Sequence, residues 1–244
     1  MKSVYNASAL MLTIMVSACT VNQDKESPQL QCSIDTCEFV PLKIQTPDPC
    51  IVLRGDLPDD LNADRGKFGA RRQGPIYVPR KANQNIAEGQ PGRASSPPDE
   101  GKLRQVADGD KSLSPEDETS LVVLPRGLQY VEIDLGADTR IFALVIWHDY
   151  CGDLVYRDVI VRISNDQNFD EATTIFNNDH DESSNIGLGK GADHEYLETY
   201  QGKMIAVPGG VTGQYLRFYS RGSTAHPANH YLEIETYGFP RDTK

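Results

Sequence analysis

The second half of the chain alternates between apolar and polar positions. In LQYVEIDLG, residues 128–136, the apolar side chains Val131, Ile133 and Leu135 alternate with mostly polar neighbours. This period of two predicts a strand with one buried and one solvated face. The run IFALVIWHD, residues 141–149, is apolar until its last residues, which suits a strand buried on both faces.

Three later segments show the same alternation. YRDVIVRIS, residues 156–164, places Val159, Val161 and Ile163 on one face. GQYLRFYSRG, residues 213–222, separates Leu216 and Phe218 from Tyr215, Arg217 and Tyr219, with either set facing inward. HYLEIETYG, residues 230–238, sets Leu232 and Ile234 against Glu233 and Glu235. Short strands separated by turn residues, without a helical stretch, predict an all-β sandwich.

The first third of the chain lacks such a pattern. Residues 1–18 are interpreted as a signal peptide, 19–50 as a polar tether, and 51–82 as an irregular segment wrapped against the domain. The sandwich is then expected to span 83–240. The chain has 244 residues with 39% hydrophobic content, which is enough for one core of ordinary size.

The N-terminus predicts export and lipid attachment. MKSVYNASALMLTIMVSAC has one Lys, a short apolar run and the small residues Ser17 and Ala18 before Cys19. The ending VSAC resembles a bacterial lipobox, so Cys19 is expected to carry lipid and hold the protein at the membrane of the cell envelope, facing the periplasm or the surface. The alternative is a plain signal peptide with Cys19 incidental.

Net charge narrows the class of partner. The chain carries −11, and removal of residues 1–18, which contain one Lys and no acid, makes the charge −12. So acidic a surface repels the phosphates of nucleic acid, and DNA and RNA are therefore excluded as partners.

Four cysteines remain after Cys19, and export permits disulfides. They allow three pairings. The short loop from Cys32 to Cys37 is one plausible bridge, which would join Cys50 to Cys151. Zinc binding is disfavoured, because CxxC and paired Cys–His spacings are absent.

The order of these segments resembles that of the discoidin, or coagulation-factor type C, domain. The pattern runs from NQNIAEGQPGRASS through VADGD, DLG, RDVIVRIS and YLRFYS to a terminal EIETYG, and covers residues 83–238. The stretch after FNNDHD looks like an exported bacterial branch of that family. The resemblance implies the galactose-binding-like jelly-roll sandwich and a non-catalytic module that binds sugars, phospholipid head groups or proteins through loops at one end.

The same resemblance implies a structural calcium. Family members hold it with oxygens from a turn of the form DG[DN] and a Glu of the last strand, which match Asp108, Asp110 and Glu233. Calcium requires six to eight oxygens, so these acids would form part of its set. The alternative is a plain turn with Glu233 facing solvent. The family's usual Thr and Trp after the turn are missing, since KSLSPEDETSLVV stands there.

Three loops hold the candidate ligand-binding residues. FNNDHDESSNIG, residues 176–187, fails as an EF-hand because Ser184 and Lys190 occupy the required Gly and Glu positions. It is expected to be a solvated turn or part of a ligand or cation site. Polar and aromatic side chains of this loop and of two others could bind sugar, and the alternative for each is a structural role. The candidates are Asp179, His180 and Asp181 here, Trp147, His148 and Asp149 at the end of a strand, and Arg221, Asn229 and His230 around GSTAHPANHY.

Catalytic signatures are missing from the sequence. It contains no GxSxG, no HExxH and no Cys–His signature. A non-catalytic, lipid-anchored module that binds glycan is therefore expected. A structural lipoprotein that docks an envelope protein is the alternative, and a sugar-cleaving enzyme is the least favoured reading.

Overall fold

A computed structural model describes residues 38–50, 74–113, 119–152 and 154–241. These residues belong to one compact unit spanning Ser33–Lys244. The expected signal peptide, the lipidation site Cys19, and the cysteines Cys32 and Cys37 lie outside the described residues. No helix among the described residues is long and apolar enough to cross a membrane.

The described chain is built from antiparallel strands, which confirms the all-β prediction. Two short 3-10 helices, Arg80–Ala82 and Leu103–Ala107, complete the described secondary structure. The strands are β1 Phe39–Pro41, β2 Tyr77–Pro79, β3 Gly92–Ala94, β4 Val122–Leu124, β5 Gln129–His148, β6 Ile160–Ser164, β7 Thr173–Asn177, β8 Lys203–Ser220 and β9 Asn229–Pro240.

Two long strands connect the two layers of the sandwich. Residues 129–134 of β5 pair with the end of β8, whereas residues 143–148 pair with β9. The first layer contains β3, the first half of β5, the end of β8, β6 and β7, and the second contains β4, β9, the second half of β5 and the start of β8. Gly136 and Gly210 have φ of 75° and 74° at the bends, a conformation that favours glycine.

The main core lies between the layers. Val131, Ile133 and Leu216 from the first layer pack in one cluster with Leu144 and Ile146 from the second. The predicted inward set of 156–164 lies in the same cluster, as do Leu216 and Phe218, which settles the orientation of 213–222. Alternation therefore predicted these strand faces correctly.

A second hydrophobic cluster covers the opposite face of β5. It contains Val145 and Trp147 of β5, and Val78 and Ala82 from the segment before the sandwich. Residues 38–50 also lie here, because β1 pairs with β2 and Leu42, Ile44 and Cys50 pack against the cluster. The predicted disulfide between Cys50 and Cys151 is confirmed and ties this segment to the end of β5.

The last strand departs from simple alternation. Leu232 packs in the second cluster and Ile234 in the main core, although the sequence pattern placed them on one face. The cause is a shift in register between Trp147–Glu233 and His148–Tyr231, which inserts one residue into β9. Glu233 and Glu235 point away from the main core, as the pattern suggested, but they are buried, at 0% and 5% exposure, because Asp108, Gly109 and Lys111 contact them on that face.

Candidate functional site

Three loops meet at one end of the sandwich. Ile160 at the start of β6 pairs both with Asn177 at the end of β7 and with Tyr219 near the end of β8. The loops 154–159, 178–187 and 221–228 therefore leave the sheet side by side. Loops placed on a rigid sheet in this way are common positions for binding residues.

An acidic cluster lies where these loops meet. One carboxylate oxygen from each of Asp158, Asp179 and Asp181 falls within 4.8 Å of the others. Ser183 ties the cluster together, since its hydroxyl donates to Asp158 Oδ2 at 2.9 Å and its N–H lies 3.0 Å from Asp179 Oδ1. Within the described chain, this is the one group of three Asp, Glu, His or Cys side chains with such spacing, and it could hold a cation.

The charges of the cluster act on one another. Burial raises the pKa of Asp158, the Ser183 hydroxyl and Arg221 lower it, and the charges of Asp179 and Asp181 raise it further. Hydrogen bonds from Ser183 lower the pKa of Asp181. The cluster thus combines the buried carboxylate of Asp158 with the exposed, ionised carboxylate of Asp181.

Arg221 adds a cationic donor to the cluster. Its Nη1 lies 3.5 Å from Asp158 Oδ2 and donates to the Ser183 carbonyl at 3.2 Å. Its side chain is 43% exposed, so other N–H groups face solvent. Guanidinium donors beside carboxylate acceptors form strong, directional hydrogen bonds to neutral hydroxyl groups as well as to ions.

His180 stabilises the loop 178–187 through a contact with Asp193. Its Nε2 lies 2.7 Å from the Asp193 carbonyl, and the Asp193 carboxylate accepts the N–H of Asn177 at 2.7 Å. Asp179 is 1% exposed and accepts the N–H groups of Ser183 and Ser184. Of the three candidates in FNNDHDESSNIG, Asp181 is therefore the one most open to a ligand.

The candidates at the end of β5 lie in the core. Trp147 is fully buried and its Nε1–H donates to the Tyr200 carbonyl at 3.0 Å. His148 is also fully buried, with Nδ1 2.6 Å from Glu198 Oε1, and Asp149 accepts the N–H of Cys151. Each of the three side chains therefore has a structural role, which was the alternative to sugar binding, because none of them lies at the surface of a loop.

Asn229 and His230 are also buried. The Asn229 amide accepts from Ser220 Oγ and the Gly222 N–H, and donates to the carbonyls of Pro125 and Gly127. His230 is 8% exposed, with Nδ1 3.3 Å from the Tyr156 hydroxyl. The loop 222–228 is thus fixed from beneath by Asn229, and only Arg221 of this candidate set faces solvent.

The three predicted calcium ligands are only partly brought together. Glu233 is buried rather than solvent-facing, and its two oxygens accept the N–H groups of Asp108 and Gly109, each at 3.2 Å. Desolvation, with a contribution from the charge of Asp108, raises the pKa of Glu233 to about 8. A cation would relieve that penalty, but this turn presents N–H groups to Glu233, and Asp110 Oδ1 accepts the N–H of Ser112. The fit to calcium is therefore incomplete.

Sequence reasoning missed Asp158 and Ser183. Asp158 directly precedes the predicted strand residues 159–163, so the sequence pattern already placed it at the end of a strand. Its proximity to Asp179 depends on the pairing of β6 with β7, which alternation does not specify. Ser183 is an ordinary loop residue in the sequence, and only its contacts single it out.

No protein-family model and no curated protein matches the chain. Among solved structures, it is similar to chitosan-binding module 1 of a chitosanase/glucanase from Paenibacillus sp. IK-5, at 17% identity and a TM-score of 0.41, covering 64% of this chain and 99% of the module. A Streptococcus pneumoniae fucose binding module, SpX-3, matches at 20% and 0.43, covering 63% and 97%. CpGH89CBM32-6, produced by Clostridium perfringens, matches at 18% and 0.39, covering 64% and 99%.

Proposed function

We propose that this protein is a non-catalytic carbohydrate-binding module whose ligand contacts the loops around Arg221. The observation that carries the proposal is the partly exposed guanidinium of Arg221 beside Asp158 and the exposed Asp181. Together they offer donors and acceptors for neighbouring hydroxyl groups of a sugar. The resemblance of the strand motifs to discoidin domains supports the same class of ligand.

A glycan array with residues 20–244 tests the proposal. Arg221→Ala is expected to weaken binding of the selected glycan by about tenfold, the effect of losing one or two charge-assisted hydrogen bonds. Arg241→Ala is the matched control, because its exposed guanidinium pairs with Asp138 away from these loops. A blank array from folded protein, or equal binding by both variants, would contradict the proposal.

Calcium and lipid anchoring belong to the same proposal. Calcium would be held at the turn of Asp108 and Asp110 with Glu233, and lipid at Cys19 would keep the module on the membrane of the cell envelope. Calcium is expected to raise the Tm of the wild type and leave that of Glu233→Gln unchanged. Mass spectrometry of the native protein should show a lipidated Cys19 at the N-terminus, and an unmodified Cys19 would contradict anchoring.

Docking of an envelope protein is the second candidate function, and one surface favours it. Phe39 and Tyr77 are 46% and 58% exposed, more than any other large hydrophobic side chain in the described part. They border a cleft of about 500 Å³ that is also lined by Ile76, Phe142 and Pro208. A stoichiometric partner that co-purifies with the wild type and is lost with Tyr77→Ser would favour docking over glycan binding.

A further inference from the structure

The outer face of the first layer carries a row of charged side chains. The strand register aligns Arg93 of β3 with Glu132 of β5, Glu132 with Arg217 of β8, and Arg217 with Arg162 of β6. Thr174 of β7 follows Arg162 in the same row. The sequence neighbours of Glu132, Arg217 and Arg162 all point into the main core, so the row faces away from it.

Glu132 is the one carboxylate of the row, and it is already paired with two arginines. It is 2% exposed and accepts hydrogen bonds from Nε of Arg93 and, at 2.6 Å, from Nε of Arg217. Both arginines also donate through Nη2 to the carbonyl of Gln167. This arrangement fixes two guanidinium groups around one buried acid.

Aromatic rings hold Arg217 in place. The centre of its guanidinium lies 4.0 Å from the ring of Phe169 and 4.5 Å from that of Tyr130. These distances fit cation–π contacts. Arg217 therefore holds its positive charge in a fixed position beside Arg162, the next residue of the row.

Arg162 has no acidic partner among the described residues. It lies directly opposite Arg217, an arrangement of like charges that is unfavourable on a sheet. Its Nε is buried and lacks a hydrogen-bond acceptor in this part of the chain. The nearby Asp166 is engaged elsewhere, because its carboxylate accepts the N–H groups of Asn168 and Asp170.

We propose that Arg162, with Arg217 beside it, binds the carboxylate or sulfate group of an acidic saccharide on this outer face. An anion beside the partly exposed Arg162 would pair with its guanidinium and neutralise the pair of like charges. The exposed Thr174 adds a hydroxyl for the sugar ring. The net charge of −11 would repel long polyanions, so a short oligosaccharide or a chain end suits the site.

The inference that an anion binds here rests on the contacts of Arg162 alone. The inference that the anion belongs to a saccharide rests on the proposed function. Titration calorimetry with a uronate trisaccharide and with a sulfated trisaccharide separates the two anion sources. Arg162→Met is expected to weaken binding of the preferred ligand by about tenfold and Arg162→Lys by less, since lysine keeps the charge but loses the planar fork. Arg241→Ala, which removes an exposed arginine paired with Asp138, should leave acidic-ligand binding unchanged.

Stability of the variants provides an independent readout. Arg162→Met keeps the apolar stem and removes the like charge, so its Tm should equal or exceed that of the wild type without ligand. If neither acidic trisaccharide binds the folded wild type, or if Arg162→Met and Arg162→Lys both bind as the wild type does, the anion site is wrong. If neutral glycans bind through Arg221 in that case, the proposed function stands alone. If acidic ligands bind at Arg162 and the neutral array is blank, the loop site fails and the anion site remains.

Discussion

At the scale of single residues, burial decides which polar side chains are free to bind. Asn229, His148 and Arg221 all have residue types suited to sugar recognition. Asn229 and His148 are fully buried and engaged in the interior, whereas Arg221 is nearly half exposed. The residue type therefore did not distinguish a ligand-binding side chain from a structural one.

Asn229 is expected to be essential for stability. Asn229→Ala removes four hydrogen bonds, which leaves the Gly222 N–H and the Pro125 carbonyl without the amide, whereas Ser220 Oγ keeps Tyr231 and the carbonyl of the exposed Gly127 can bond water. Leaving buried polar groups unpaired costs about 1–3 kcal/mol each, and some of them will find other partners, so a loss of about 3 kcal/mol in the free energy of unfolding is expected. Urea unfolding with the exposed Asn168→Ala as control measures it, and equal stability of the two variants would refute the role.

In the absence of a bound cation, Glu233 makes the free energy of unfolding depend on pH. Its pKa is about 8 in the folded protein against an ordinary value of 4.5, so the folded state holds a proton that the unfolded state has released. The stability that the folded protein gains by holding this proton is present in full below pH 4.5 and is lost as the pH rises through 8.

Chelator-treated wild type should therefore lose stability between pH 5 and pH 8, while Glu233→Gln should lose less over the same range. Thermal unfolding at several pH values measures this. Parallel pH profiles for the two proteins would show that Glu233 titrates normally.

At the scale of elements, one disulfide joins the segment before the sandwich to the end of β5. Cys50 and Cys151 are 101 residues apart in sequence, and their bond closes a long loop. Replacing both by Ser should lower the free energy of unfolding by about 2–4 kcal/mol, chiefly because the unfolded chain gains freedom.

Denaturant unfolding of the double variant tests this prediction, with oxidised and reduced wild type measured in parallel. The reduced wild type should match the variant. An unchanged unfolding midpoint in both would mean that the bond contributes nothing to stability.

At the scale of the whole molecule, the segment before the sandwich acts as part of the domain. Residues 76–82 and 42–50 cover the second cluster, whose members include Val145 and Trp147. A chain that begins at residue 83, as the sequence boundary suggested, would expose that face of β5. Each buried side chain of this kind contributes about 1.5–3 kcal/mol, so we expect the shortened chain to aggregate or unfold.

Light scattering and circular dichroism of residues 83–244 beside residues 38–244 test this expectation. The longer chain should be monodisperse and unfold cooperatively. A soluble, cooperatively folded short chain would show that the covering segment is dispensable and that the domain begins near residue 83.

The sequence by itself determined the strand class and the inward faces of residues 128–136 and 156–164, and it offered Cys50–Cys151 as one possible bridge. Alternation is a local property, so these strand faces could be predicted without coordinates. Four cysteines allow only three pairings, so the bridge was among few possibilities. Only the tertiary structure decided that β9 bulges at Leu232, that Trp147 lies beneath the covering segment, and that Asp158 lies close to Asp181. The bulge, the covered face and the acidic cluster all depend on which distant segments pair and where the register shifts. The period of side chains along one strand indicates its buried face, but it specifies neither the partner strand nor the position of a bulge.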